Sequence, residues 1–114
     1  MATFRITNLR CIKKRDPIGK DEIDIYLAID GGSQFFLSGP HFIDKSRNDD
    51  EVTLDVTRTF DERIVVRLME RDGERGGNND RDLGTVPFNT SPVSNEFSFN
   101  DGGVDYALRC NVTT

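Results

Sequence analysis

The sequence is poor in the residues on which many enzyme and metal sites depend. Its 114 residues include no Trp, one His and two Cys. Without a second histidine, hydrolytic zinc chemistry is not expected. The single histidine, His41, has no Ser or Cys at a spacing typical of nucleophilic catalysis, so we expect a packed or surface role in place of general-base chemistry. We therefore expect no enzyme activity.

Long apolar runs are also absent. No segment approaches the ~18 apolar residues that a membrane span needs, and the N-terminal residues do not resemble a signal peptide. We expect a soluble chain, and both a cytoplasmic and a secreted location stay open. The formal net charge of -5 disfavours nucleic acid and anionic membranes as partners, because both attract basic surfaces. Cations suit this composition better.

The two cysteines, Cys11 and Cys110, lie near opposite ends of the chain and match no zinc or redox motif. Packed thiols are the prediction. A disulfide stays open if the first and last strands are neighbours in the fold.

The chain does contain repeated alternation of apolar and polar residues, which is typical of half-buried β-strands. Gly, Asp and Pro clusters, among them Ser38-Gly39-Pro40, predict turns between these segments, and none of the segments shows a sustained helical period. The pattern predicts about eight strands in one antiparallel β-sandwich that spans residues 1–114 as a single domain. The alternating apolar sets are Ile23, Ile25, Leu27 and Ile29; Val52, Leu54 and Val56; Ile64, Val66 and Leu68; and Tyr106, Leu108, Cys110 and Val112.

Two details of the strands carry further predictions. The apolar phase shifts between Phe4–Ile6 and Leu9–Cys11, which indicates a β-bulge. Phe35 and Phe36 are adjacent, so alternation places their rings on opposite faces of a strand, and an exposed ring would mark a binding patch. A role in the core and its covering loops is the favoured interpretation for this pair.

Two segments concentrate carboxylates beside loops that contain glycine. Like charges crowded on a loop repel each other unless a cation or solvent screens them. Calcium binds ~6 to 8 oxygen ligands with tolerant geometry, so such loops can hold it. The regular spacing of an EF-hand is absent, but two acidic loops that meet at one end of a sandwich can enclose an ion together. The acidic residues are Asp16, Asp21 and Glu22 in the first segment and Glu70, Asp72, Asp80 and Asp82 in the second.

The order of these segments resembles, distantly, the C2-type calcium-binding β-sandwich over nearly the whole chain. In that family the loop before a Leu-Gly pair such as Leu83-Gly84 offers two acidic residues spaced by one and a later Asp. Glu70, Asp72 and Asp80 fit that pattern. The chain departs from it in having Glu at position 70, a longer loop, and Glu22 where the family more often has Pro. The loop tips are polar, so membrane insertion is not expected.

The resemblance implies a C2-like module that binds one or two Ca2+ ions, for stability or for calcium-dependent recognition of a protein partner. Two alternatives stay open. One is a metal-free sandwich that binds another protein through an edge strand or loop rim. The other is a small carbohydrate-binding sandwich, which the lack of Trp disfavours. The implied ligands are Asp16, Asp21, Glu70, Asp72 and Asp80, with Glu22 and Asp82 as further candidates.

Overall fold

Alternating apolar side chains form β-strands throughout the computed structural model, which describes residues 1–13, 21–43, 50–71 and 80–114. This part of the chain contains eight strands and no helix, and therefore no helix that could cross a membrane. The strands are β1 (Ala2–Lys13), β2 (Asp21–Ile29), β3 (Phe35–Ile43), β4 (Glu51–Phe60), β5 (Ile64–Arg71), β6 (Arg81–Phe88), β7 (Val93–Asp101) and β8 (Val104–Thr113).

The strands form two four-stranded sheets, in the orders β4-β1-β8-β7 and β3-β2-β5-β6. We call them sheet A and sheet B. Every neighbouring pair is antiparallel. The predicted eight-stranded antiparallel sandwich is confirmed. Four strands are at edges: β4 and β7 in sheet A, and β3 and β6 in sheet B.

The core lies between the sheets and consists of the inward residue of each alternating pair. Removing this apolar area from water is the main force that holds the sheets face to face. The largest fully buried side chains come from both sheets: Tyr106, Phe4, Phe60, Phe99, Ile6, Leu9, Ile23, Ile25, Leu27, Ile43, Ile64 and Leu68.

The bulge predicted in β1 is confirmed. The register of β1 shifts between Ile6 and Asn8 against both of its neighbours, β4 and β8. The extra residue changes the phase of the strand, so that Ile6 and Leu9 can both be buried although they are three positions apart.

The cysteines are buried free thiols, as predicted. The strands β1 and β8 are neighbours, but their register places Cys11 opposite Tyr106 and Cys110 opposite Ile6. The two thiols therefore do not face each other across the strands. Burial raises the pKa of the Cys110 thiol to about 12, which keeps it protonated and unreactive at neutral pH.

The strand pairing gives the sandwich two different ends. At one end, the odd-numbered strands finish and the even-numbered strands begin. We call this the acidic end, because the strands that precede and follow each predicted calcium loop end and begin there. At the opposite end, the carboxylate of Asp30 accepts hydrogen bonds from the backbone N–H groups of Asp61, Glu62 and Arg63 at 2.7–3.2 Å. One side chain therefore ties the turn after β2 to the turn before β5.

The two long sides of the sandwich also differ. On one side β6 packs closely against β7, and the rings of Phe88 and Phe97 meet edge to face with centroids 4.8 Å apart. On the other side β3 and β4 contact each other much less. We call this the β3–β4 side.

Candidate functional site

The strand register brings the flanks of the two predicted calcium loops together at the acidic end. The strands β2 and β5 are paired, with Glu22 opposite Arg71 and Ile23 opposite Glu70. Glu70 in turn lies opposite Arg81 at the start of β6. Two of the predicted ligands, Asp16 and Asp72, lie outside the described residues.

Strand alternation then divides the predicted ligands between two faces of sheet B. Asp21 is on the face of β2 that carries buried Ile23, and its carboxylate accepts a hydrogen bond from the buried hydroxyl of Tyr106 in sheet A. Glu22 is on the outer face and forms an ion pair with Arg71 at 3.3 Å. Burial, together with the hydrogen bond to Asp21, raises the pKa of the Tyr106 hydroxyl, so it stays a donor.

The remaining described residues among the predicted ligands lie at the end of β5 and around the start of β6. The Asp82 carboxylate contacts the Arg67 guanidinium and accepts a hydrogen bond from the backbone N–H of Gly84 at 2.8 Å. Asp80 and Glu70 are partly buried. Two of the predicted ligands, Glu22 and Asp82, thus have arginine partners, which balance the carboxylate charge that was expected to require calcium.

No cluster of three or more His, Cys, Asp or Glu side chains able to hold a metal ion occurs within residues 1–13, 21–43, 50–71 and 80–114. Among the described residues, the fit to calcium is therefore incomplete. The calcium site, which also needs Asp16 and Asp72, stays a prediction.

The structure reveals a polar cluster in β3 that the sequence pattern did not indicate. The Ser38 hydroxyl and the His41 Nε2 atom are hydrogen-bonded at 2.8 Å. Asp24 of the neighbouring strand is only 1% exposed. Burial lowers the pKa of His41, and the Asp24 charge partly opposes this effect. Ser38-Gly39-Pro40 was expected to be a turn, but it lies inside β3, where the register against β2 is irregular.

Gly39 explains how this cluster fits into a strand. A Cβ atom at position 39 would lie 2.5 Å from Asp24 Oδ1 and 2.8 Å from the Ile23 carbonyl oxygen, and the φ angle of Gly39 is +136°. Only glycine allows such a close approach at that angle. The signal in the sequence was Gly39 followed by Pro40, which marks an irregular strand as well as a turn.

A second unexpected feature is a set of exposed aromatic rings on β3. Phe35, Phe36 and Phe42 are 38%, 39% and 50% exposed. The favoured assignment of Phe35 and Phe36 to the core and its covering loops was therefore wrong. Phe36 packs edge to face on Tyr26, with ring centroids 5.8 Å apart. Tyr106 is fully buried and cannot provide an exposed platform for a sugar.

Shallow grooves of the described residues lie at the end of the sandwich opposite the acidic end. A shallow groove of about 320 Å³ between β6 and β7 is lined mainly by Pro87, Phe88, Pro92, Val93 and Phe97. No ionisable side chain lines this groove, so it provides neither a proton-transfer group nor a charged metal ligand.

Comparison with known proteins identifies the fold. A solved structure of CC2D1B, a C2-like domain protein, superposes with a TM-score of 0.53, and the match covers 99% of this chain. The fold is C2-like. The sequence identity is 14%, so the likeness extends to the fold alone. This C2-like chain spans about half of the CC2D1B chain, 54% of its length. No protein-family model and no curated protein matches the sequence.

Proposed function

We propose that this C2-like sandwich is a metal-independent protein-interaction module that binds its partner along the β3–β4 side. The observation that carries the proposal is the position of the exposed aromatic rings. Five large apolar side chains are exposed among the described residues, and three of them, Phe35, Phe36 and Phe42, belong to the single edge strand β3. Aromatic residues that stay exposed together on one element are typical of a protein-binding surface.

The contrast with sheet A supports this choice of surface. Away from β4, the outer face of sheet A carries an ion pair between Arg10 of β1 and Glu96 of β7 at 2.9 Å. Polar, mutually paired side chains are already satisfied in water and gain little from a partner. Exposed phenylalanine rings gain from any contact that removes them from water.

The structural neighbour agrees with a role in binding. CC2D1B is described as coordinating ESCRT-III activity during the mitotic reformation of the nuclear envelope. The same kind of role for this chain is part of the proposal.

A photo-crosslinking amino acid at position 36 tests the proposal. In cells that express the chain, position 36 is expected to capture one dominant protein, and a matched crosslinker at exposed Ser98 on β7 is expected not to. The captured protein is then purified, and its binding to the Phe36→Ser and Phe42→Ser variants is measured directly. Loss of about tenfold in affinity per ring is expected for a well-packed aromatic anchor. Equal capture at positions 36 and 98, or unchanged affinity in both variants, contradicts the proposal.

Calcium binding is the second candidate, because the register of β2 and β5 places Asp21, Glu22 and Glu70 at adjacent strand ends. Thermal unfolding of chelator-treated protein, with and without millimolar calcium and with magnesium as the control, tests it. Saturation at 100 times the dissociation constant adds roughly 2.7 kcal/mol, which for a domain of this size is about a 10 °C rise in Tm. The rise is expected to disappear in Asp72→Asn and to remain in the control Asp61→Asn. No calcium-specific rise in the parent protein would contradict this candidate.

A further inference from the structure

The four edge strands differ in their ability to receive another strand. Proline lacks the N–H group that a pairing strand needs, and Pro40 and Pro87 interrupt β3 and β6. The free edge of β7 lies against β6 on the closed side of the sandwich. The remaining edge strand, β4, runs through ten residues without Pro or Gly. Its edge lies on the β3–β4 side, where the two sheets contact each other least.

The side chains on the inner face of β4 are the ones that an added strand would contact. Val52, Leu54 and Val56 alternate along β4, pack on the core and are only partly buried. On the facing sheet, Phe35 is 38% exposed. A strand paired to β4 with apolar residues at its inward positions would cover these side chains, because residues opposite each other in an antiparallel pair share one face.

The residues at the outer positions of β4 indicate which charge the added strand carries. Glu51 and Asp55 are exposed and alternate with Thr53 and Thr57 on this face, which has no basic residue of β4. The ion pair of Asp55 with Arg5 is largely solvent-exposed on both sides, so it competes weakly with a new partner. Basic residues opposite Glu51 and Asp55 would therefore complete the cross-strand pairs.

The same charges disfavour a second copy of this chain. Antiparallel pairing of β4 with itself would bring only acidic and neutral residues together on the outer face, and like charges directly opposite each other destabilise a pair. Acidic residues on an edge strand are a common protection against self-association.

We propose that the free edge of β4 binds an extended strand of a partner protein, in which aliphatic residues alternate with Lys or Arg. The added strand extends sheet A to five strands and covers Val52, Leu54 and Val56 together with Phe35 of the facing sheet. This inference rests on the proposed function and gives the class of partner segment.

A display library of random twelve-residue peptides tests the inference without a known partner. Selection on the intact chain is expected to enrich peptides that alternate aliphatic and basic residues. The enriched peptide is expected to protect the backbone amides of β4 from hydrogen exchange. N-methylation of alternate peptide nitrogens removes the backbone donors and leaves the side chains in place, so it is expected to weaken binding at least tenfold.

Charge-reversed variants locate the site. The double variant Glu51→Lys with Asp55→Lys is expected to weaken binding at least about threefold, by loss of two surface charge pairs. The matched control, Asp61→Lys with Glu62→Lys, makes the same change in net charge at the opposite end of the sandwich and is expected to bind normally.

Three outcomes overturn the inference: no enriched peptide, protection confined to strands other than β4, or equal weakening in the two double variants. Dimer formation in analytical ultracentrifugation, together with protection of the β4 amides from hydrogen exchange at the same protein concentrations, would also overturn the inference. It would identify a second copy of this chain as the occupant. Capture at position 36 together with any of these results would leave the proposed function standing and reject only strand addition.

Discussion

At the scale of single residues, Asp30 has a concentrated set of hydrogen bonds. Its carboxylate accepts three backbone N–H groups, and these bonds lower its pKa below the ordinary range. A lowered pKa in the folded state stabilises the protein above the unfolded pKa of ~3.9, and this contribution is lost as the pH falls through the folded pKa. Asp30 also has a φ of 52°, a conformation that Asn tolerates well.

Asp30→Asn is therefore expected to keep the turn but weaken its bonds. The free energy of unfolding at pH 7 is expected to fall, and the variant and the parent are expected to converge in stability as the pH falls through the lowered folded-state pKa of Asp30, where the parent carboxylate becomes protonated. Urea unfolding at a series of pH values measures this. Asp61→Asn, whose side chain accepts none of these bonds, is the control. A constant difference in stability across the whole pH range would contradict the assignment.

Gly39 provides a second test at this scale. Gly39→Ala is expected to destabilise the fold by about 2 kcal/mol or more, because the new methyl group adds a collision with Asp24 to an unfavourable φ. Gly103→Ala has a φ of +99° but no atom within 4 Å of the new Cβ, so it measures backbone strain alone. Equal losses for the two variants in urea unfolding would show that Asp24 and the Gly39 backbone are not in close contact.

At the scale of elements, β3 differs from the other strands in leaving large rings in water. Phe42→Ser is expected to change the free energy of unfolding by less than about 1 kcal/mol, because half of the side chain is already exposed. Phe4→Ala in β1 is expected to cost about 3–5 kcal/mol, since Phe4 is 1% exposed and its ring packs on Phe88 at 5.0 Å. Chemical denaturation measures both. A large loss in the free energy of unfolding for Phe42→Ser would show that this ring stabilises the fold, and would weaken the case for a binding surface.

The strands themselves could be predicted, since a period of two in apolar residues requires one buried face. The bulge in β1 could also be predicted, because its two apolar sets have opposite phases. The course of β3 could not. Ser38-Gly39-Pro40 has the composition of a turn, and only pairing with β2, together with the buried Asp24, keeps that segment inside a strand.

At the scale of the whole molecule, both sheets contribute to a single core. Neither sheet can lose its partner without exposing apolar residues, so we expect one cooperative unfolding transition for the chain. Circular dichroism and tyrosine fluorescence are expected to give the same midpoint in urea, as Tyr26 and Tyr106 report on sheet B and sheet A. Two separated midpoints would contradict a single cooperative unit.

The candidate calcium site shows why a sequence can predict the place of a charge cluster but not its pairing. The order of strands and acidic loops was sufficient to place the flanks of both loops at one end. Tertiary structure decided that Asp21 meets Tyr106, that Glu22 meets Arg71 and that Asp82 meets Arg67. These contacts depend on which strands are neighbours and on their register, and neither is encoded in local spacing.

The sequence by itself determined the fold class, the strands, most of the buried residues and the surplus of acidic residues, because each depends on local periodicity and composition. Only the tertiary structure decided which apolar residues stay exposed. Phe35, Phe36 and Phe42 are as hydrophobic as the phenylalanines of the core. Phe35 faces sheet A from an edge strand that β4 covers little, whereas Phe36 and Phe42 lie opposite Tyr26 and Glu22 on the outer face of sheet B. Exposure is set by the elements that pack on a strand, and the open β3–β4 side follows from how the two sheets meet.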